Sequence, residues 1–393
     1  MITNESITLK RGKDAPVRRF HPWIFSGAIH QQSGKLQDGD WVNVLSAEGD
    51  FLGLGHFYLG SISVKIVSFT PVKDLMDLWE EKIKKAWDLR QKLDLKDTNA
   101  YRLIHGEGDG CPGLIIDVYK DIFVFQAHSI GMYQNKESII EALKKVFGKK
   151  IKAIYDKSKE TLPTNFAHQC QNGYLFGSAD VPYEIKENGV KFSVNWVTGQ
   201  KTGFFLDQRD NRALLSQYAK GMHILNTFCY SGGFSLYALE AGASSVISLD
   251  ASSKAIDLVN QNIALNKFEN KTHQAIVGET LPYLRNNQDE FDIIILDPPA
   301  FAKSVNTKHK ALQGYQKINQ LAIQQIKKNG LIFTYSCSQV ISRELFLNML
   351  VAAGIAAGRE IQLIHQMTQA PDHPINLFHP ESHYLKGFVL RVL

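Results

Sequence analysis

Four stretches in the C-terminal half carry reactive side chains at the ends of apolar runs. The run His223–Phe228 leads into Cys229-Tyr230-Ser231-Gly232-Gly233 and then FSLYALEAG, a glycine turn at a helix start where a ligand can approach the backbone. A second run, SVISLD, ends at Asp250, 18 residues after Gly232, where a carboxylate can accept hydrogen bonds from a ribose. The pair suits a dinucleotide or S-adenosylmethionine. Adjacent glycines in place of G-x-G-x-x-G omit the cradle a pyrophosphate needs, which favours S-adenosylmethionine over a nicotinamide cofactor.

The run Ile293–Leu296 ends in Asp297-Pro298-Pro299-Ala300-Phe301, a carboxylate on a backbone stiffened by two prolines. Such an acceptor suits the exocyclic amino group of a nucleobase. The run Leu331–Tyr335 ends in Ser336-Cys337-Ser338 and brings a thiol to the same edge. A buried lone cysteine is commonly a small hydrophobe, but a polar, part-exposed edge is where thiolates react. Methylation at carbon 5 of a pyrimidine requires a nucleophile, because that carbon becomes reactive only after addition at carbon 6. Methylation of a ring or exocyclic nitrogen requires none. In His379-Pro380-Glu381-Ser382-His383, Glu381 is either the base that removes the proton from carbon 5 or an ordinary loop residue.

These residues need a scaffold that gathers them. From residue 191 strands and helices alternate, which predicts a doubly wound, mostly parallel α/β sheet with ligands beyond the carboxyl ends of its strands. Residues 1–70 carry short alternating segments (WIFSGAI, DWVNVLS, FLGLGHF, SVKIVSF) and predict a small β-rich barrel. Residues 71–190 open with Leu75, Leu78, Trp79, Ile83, Ala86 and Trp87 at helical spacing and continue as a mixed α+β domain. Three domains, 1–70, 71–190 and 191–393, are expected from the 393 residues.

Apolar residues at 44% and charged residues at 21% exclude a disordered or fibrous chain. No apolar run approaches the ~20 residues of a membrane span, and MITNESITLK is no signal peptide, so a cytoplasmic protein is expected. Cys111, Cys170, Cys229 and Cys337 lie 59, 59 and 108 residues apart, a spacing for neither disulfides nor a metal, and no metal is expected. The net charge of +5 is mild, but five basic residues lie between Lys10 and Arg19 against one acid, with further groups at Lys144–Lys159 and Lys303–Lys310. Each cluster is either a phosphate contact or a solvated face.

With these residues in place, the chain resembles the RlmI family of S-adenosylmethionine-dependent 23S ribosomal RNA cytosine-5 methyltransferases over nearly its full length. The resemblance rests on Arg19-Phe20-His21-Pro22-Trp23-Ile24-Phe25-Ser26-Gly27, on Tyr101-Arg102-Leu103-Ile104 with Asp109-Gly110 and Pro112-Gly113-Leu114, and above all on Thr202-Gly203-Phe204-Phe205-Leu206-Asp207-Gln208-Arg209. It implies a PUA-like RNA-binding barrel followed by a Rossmann-like class I methyltransferase domain. It also implies a cofactor site at Asn226, Phe228, Tyr230, Gly232, Gly233, Asp250, Ala251, Glu279, Asp297 and Pro298. Cys337 would be the nucleophile, with Asp297 and Glu381 beside it, and Tyr384-Leu385-Lys386-Gly387-Phe388 the closing strand. Ribosomal RNA would be held by Arg18, Arg19 and Trp23, and a homodimer is compatible with the family. The chain departs from the family pattern at Ala300, where relatives often carry Lys, at Gly278-Glu279, where an Asp pair is common, and at Gly55–Gly60. The rival expectations are nitrogen methylation of a purine, a non-catalytic RNA-binding protein and a nicotinamide-dependent oxidoreductase.

Overall fold

The computed structural model describes residues 2–287, 290–301 and 305–393. Lys303, the start of the third basic group, lies outside them. Six short strands form the first sheet: β1 (Ser6–Leu9), β2 (Trp23–Phe25), β3 (Ile29–Gln32), β4 (Trp41–Leu45), β5 (Phe51–Phe57) and β6 (Ile62–Ser68), in the order β2-β6-β5-β4-β1-β3. Period-two alternation turns Ile7, Leu9, Val42, Val44, Val64 and Ile66 inward to one core.

The helix Leu75–Gln91 follows, capped by Asp74, whose carboxylate accepts from the amides of Met76 and Asp77. It packs with the helix Lys136–Phe147 against one face of a second sheet, β11-β10-β9-β8-β7. Its strands are β7 (Ala100–His105), β8 (Leu114–Tyr119), β9 (Ile122–Ala127), β10 (Ala153–Asp156) and β11 (Gly173–Gly177). Tyr119, Val124 and Tyr155 on its other face share a core with Phe192, Trp196 and the C-terminal sheet. The hairpin β12 (Tyr183–Glu187) and β13 (Val190–Val194) also packs there through Ile185, Val190, Phe192 and Val194.

The third sheet comprises β14 (His223–Thr227), β15 (Ser245–Asp250), β16 (His273–Val277), β17 (Phe291–Leu296), β18 (Ile326–Ser336), β19 (Ile361–Met367) and β20 (Lys386–Val392). Its order is β16-β15-β14-β17-β18-β20-β19, parallel except for β20. Both faces are covered, so Ile224, Leu225, Ile293, Ile294, Ile295 and Leu296 are all buried, which explains their unbroken apolar runs. β17 and β18 begin earlier than those runs suggest, because Phe291 pairs with Ile326 and carries the ladder past the polar residues Asp292 and Lys327. Strand order reverses between β14 and β17, so the crevice beyond their carboxyl ends is the place for a ligand.

Buried arginines tie the second and third sheets together. Arg209 grips Asp372 through two bonds of 3.1 and 3.0 Å, and Asp372 accepts from the amide of Arg102 at 2.9 Å. Arg90 holds Asp109 at 2.5 and 2.7 Å and donates to the carbonyl of Asp372 at 2.6 Å. Paired and fully hydrogen-bonded, these charges fix the segments on either side of the crevice. No described helix is long and apolar enough to cross a membrane.

Candidate active site

The loop after β14 turns sharply: Phe228 (φ 53°), Tyr230 (φ 45°) and Gly232 (φ 75°) are all left-handed. Two bulky residues in that region are uncommon and mark a loop held by its surroundings. The holding contact is Asp250, at the end of β15. Its Oδ2 accepts from the Tyr230 amide at 3.0 Å and its Oδ1 from the Ser252 amide at 2.9 Å. Each oxygen keeps a lone pair for a ribose hydroxyl. Gly232 and Gly233 are buried at the start of the next helix, and a Cβ on Gly232 would sit 3.3 Å from Val259. Asn226 lies beneath the loop, its Nδ2 donating to Ser235 Oγ at 2.9 Å and its Oδ1 without a partner among the described residues. The Gly278 amide donates to the Asp250 carbonyl at 2.9 Å, which brings the exposed Glu279 and Ala251 to the same strand ends. A clamped carboxylate, a glycine turn and an orphaned buried amide oxygen form a set of acceptors and open backbone that fits S-adenosylmethionine.

Asp297 and the buried Pro298 follow β17, and Cys337 follows β18, its neighbour in the sheet. The half-buried Cys337 lies in the field of Asp297, Asp207, Lys201 and Lys386. Burial pushes its thiol up, the two carboxylates add to that, and the two lysines oppose it. Burial and then Asp207 push the Asp297 carboxyl up to about 7, although Gln208 Nε2 donates to its Oδ2 at 2.9 Å. Burial alone would also raise Asp207, but Lys201, His373, the Tyr384 hydroxyl and Arg102 outweigh it and hold that carboxyl well below the usual range. Lys386 is pushed down to about 8 by burial. The two carboxyls are thus pushed in opposite directions, Asp207 down by its cationic and hydroxyl neighbours and Asp297 up by burial and Asp207.

The structure brings Cys337, Asp297, Pro298, Asn226, Phe228, Tyr230, Gly232, Gly233 and Asp250 to one sheet edge. It does not bring Glu381 into that group. Glu381 is 53% exposed and its ionic neighbour is His379, at 3.6 Å. The segment folds back on itself, with Ser382 Oγ donating to the His379 carbonyl and accepting from the Asn376 amide, and His379 meets Trp23 of the first sheet edge-on with ring centroids 4.2 Å apart. Trp23 is itself engaged, its Nε1 donating to Glu107 Oε1 at 3.0 Å. Arg18 is paired with Asp14 and Asp50, whereas Arg19 is exposed without an ion pair among the described residues. Within the second basic group, Lys144 and Lys145 pair with Glu141 and Glu80, the pattern of a solvated face.

Sequence reasoning missed Lys201, Asp207, Gln208, Tyr384 and Lys386 as members of the site. Their signal was the density of charged and amide groups in Lys201–Arg209, a segment used for the resemblance but not for the site, and a lysine beside the last strand.

Residues 7–69 match the model of a PUA-like domain and residues 102–374 that of an S-adenosylmethionine-dependent methyltransferase. The ribosomal RNA large subunit methyltransferase I of Pseudoalteromonas atlantica is 40% identical, with 98% of this chain and 99% of that protein covered. Its counterpart in Escherichia coli is 36% identical, again with 98% and 99% covered. Among solved structures, a methyltransferase from Streptococcus mutans superposes with a TM-score of 0.83 at 24% identity over 98% of this chain and all of that one, so the fold is shared from end to end. The methyltransferase SMU.776, solved with S-adenosylhomocysteine bound, matches with the same TM-score of 0.83. With the clamped Asp250 loop and the switch-point crevice already described, the chain belongs to the ribosomal RNA large subunit methyltransferase I family of S-adenosylmethionine-dependent methyltransferases.

Proposed function

We propose that this chain transfers the methyl group of S-adenosylmethionine to carbon 5 of a cytosine in the RNA of the large ribosomal subunit, through a covalent bond between Cys337 and carbon 6 of the base. The observation that carries this reading is the position of Cys337 and Asp297 at the ends of adjacent strands, on the edge that holds the cofactor loop. The names of the relatives that match end to end support the ribosomal substrate. Residues 1–70 would bind RNA, 71–190 connect, and 191–393 carry the chemistry.

S-adenosylmethionine supplies an electrophilic methyl group. Cys337 Sγ adds as thiolate to carbon 6, and the electron pair of the 5,6 double bond makes carbon 5 the nucleophile. Once carbon 5 carries the methyl, its proton must leave so that the double bond reforms and Sγ departs as thiolate. Asp297 suits that proton transfer, because a base with a pKa near the working pH is the most effective. Asp250 orients the cofactor's ribose, and the left-handed turn at Phe228–Gly232 lets it lie close to the backbone.

The test is nucleoside mass spectrometry of ribosomal RNA from cells carrying the wild-type chain, no chain, or Cys337→Ala. 5-Methylcytidine at one site should be present only with the wild type. A methylated nitrogen, or normal product from Cys337→Ala, overturns the covalent mechanism.

A further inference from the structure

The first sheet and the C-terminal domain meet at a run of aromatic rings that the fold leaves half open. Phe20 and Phe378 have ring centroids 5.5 Å apart and are 52% and 54% exposed. Phe20 also meets Phe69 edge-on at 5.5 Å, and the half-exposed Phe25 joins the run through His21, which lies 6.5 Å from Phe25 and 5.7 Å from His379. Phe20 holds a left-handed backbone (φ 64°), uncommon for a bulky residue. Its amide donates to the Val17 carbonyl and the His21 amide to the Pro16 carbonyl, both at 2.9 Å, so a closed turn presents the ring. Phe378 rides on a strap fixed at both ends to the catalytic edge: the Ala370 amide donates to the Asp207 carbonyl at 3.0 Å and the Tyr384 hydroxyl to Asp207 Oδ2 at 2.6 Å. The strap's middle is pinned to the second domain, where Asn376 Nδ2 donates to the Glu107 carbonyl at 3.2 Å. Large rings that pack together and still leave half their area to water mark a surface that something covers.

The charges around the rings say what covers them. Lys65 Nζ stands over the Trp23 and Tyr58 rings at 5.5 and 5.3 Å, Lys10 Nζ donates to the Gly27 carbonyl, two residues from Phe25, at 3.0 Å, and Arg19 precedes Phe20. None of these three cations has an ion pair among the described residues. The carboxylates nearby are engaged, Glu107 by Trp23 Nε1 and Glu381 by His379. The centre of a protein interface is depleted of charge, whereas open rings among cations suit the bases and phosphates of an unpaired nucleic-acid strand. We propose that Phe20 and Phe378 form one platform on which bases of single-stranded RNA stack, and that the strap 370–384 ties this grip to the catalytic edge. The inference rests on the proposed RNA substrate. The two rings are tilted by 59°, so bases resting on them are splayed apart, as a single strand allows and a duplex does not.

The experiment follows the fluorescence anisotropy of a labelled strand of about 12 uridines, and of the same strand with abasic residues, on titration with the full chain. Phe20→Ala and Phe378→Ala should each weaken uridine-strand binding by ~10-fold, the scale of one lost stacking contact. The slope of log affinity against log salt should not change, because stacking releases no counterions. Phe378→Trp should bind within a few-fold of wild type. The abasic strand keeps its phosphates and loses its bases, so wild type and the alanine variants should bind it equally and weakly. Unchanged affinity for S-adenosylhomocysteine separates loss of the platform from loss of fold. Wild-type affinity for the uridine strand in both alanine variants, or an equal loss on the abasic strand, overturns the assignment. So does a Phe378→Ala chain that binds RNA normally but differs from wild type in sedimentation, which would give the rings to a second copy. The methyltransferase reading fails separately: ribosomal RNA without 5-methylcytidine in cells carrying the wild type would overturn that reading, whereas wild type that binds no single strand overturns the platform alone.

Discussion

Lys386 donates from Nζ to the carbonyl of Ser338 at 2.7 Å, one residue beyond Cys337. Its second bond, 2.6 Å to the carbonyl of Tyr384, pins the ammonium at the end of β20, directly across from Ser336 in the ladder. The carbonyls give partial rather than full compensation for a buried cation, and burial lowers the pKa of Lys386 to about 8. What the position offers is a positive charge beside a thiol that burial and Asp297 push up.

Removing that charge should make the thiolate harder to form. In Lys386→Met the thiol pKa rises further, so the acid limb of the kcat/KM profile should move to higher pH, by about one unit or a ~10-fold loss at neutral pH. The pH dependence of Cys337 alkylation by iodoacetamide should move in the same direction. An unshifted alkylation curve would leave Lys386 a structural residue.

Asp250 holds the loop, and on the proposed reading it also holds the cofactor. Asp250→Ala removes the acceptor for ribose hydroxyls and frees the amides of Tyr230 and Ser252, so affinity for S-adenosylhomocysteine should fall by about 1–3 kcal/mol in calorimetry. Asp250→Asn should fall between the two, because an amide oxygen can hold one amide but not both. Unchanged binding in the alanine variant would move the cofactor elsewhere.

The sequence exposes some of this arrangement for a physical reason. Strands buried on both faces must be apolar throughout, so the runs ending at Asp250, Asp297 and Cys337 announce both the sheet and the edge where polar groups emerge. Asp207 and Lys386 carry no such mark. Asp207 sits on a single helical turn between β13 and β14, and its bond from Tyr384 spans 177 residues of chain. Lys386 reads as the polar start of a strand until antiparallel pairing sets it beside Ser336. The same limit hid the buried Arg209–Asp372 pair, which in sequence is two ordinary surface charges. Glu381 shows the reverse case: chemistry suggested it, and the structure pairs it with His379 in a turn closed by Ser382.

The basic segment of the first domain gives a prediction that compares two neighbours. Arg18 is held by Asp14 at 2.6 Å and Asp50 at 2.8 Å, while Arg19 is exposed and unpaired among the described residues. If phosphates bind here, Arg19→Ala should reduce the slope of log affinity against log salt by about 1. Arg18→Ala should reduce it less, because its carboxylate partners already screen that guanidinium. Equal slopes for wild type and Arg19→Ala in filter binding would assign the segment to a solvated face.

Glu381 provides the sharpest contrast between sequence and structure. Were it the base for the carbon-5 proton, Glu381→Gln would stop the reaction after methyl transfer and accumulate a methylated protein–RNA adduct through Cys337. The structure pairs it with His379, in a turn that leans on Trp23, and Glu381 is absent from the charged groups that act on Cys337 and Asp297. Glu381→Gln should therefore release product at a rate within a few-fold of wild type and leave no slow-migrating band on a denaturing gel. Asp297→Asn should behave differently, since an amide cannot take a proton: turnover should fall by ~100-fold or more. If methyl transfer precedes the block in that variant, the adduct should appear there and contain both Cys337 and a methylated base. An adduct trapped by Glu381→Gln instead would return the base role to Glu381 and require the turn at 379–382 to open when RNA binds.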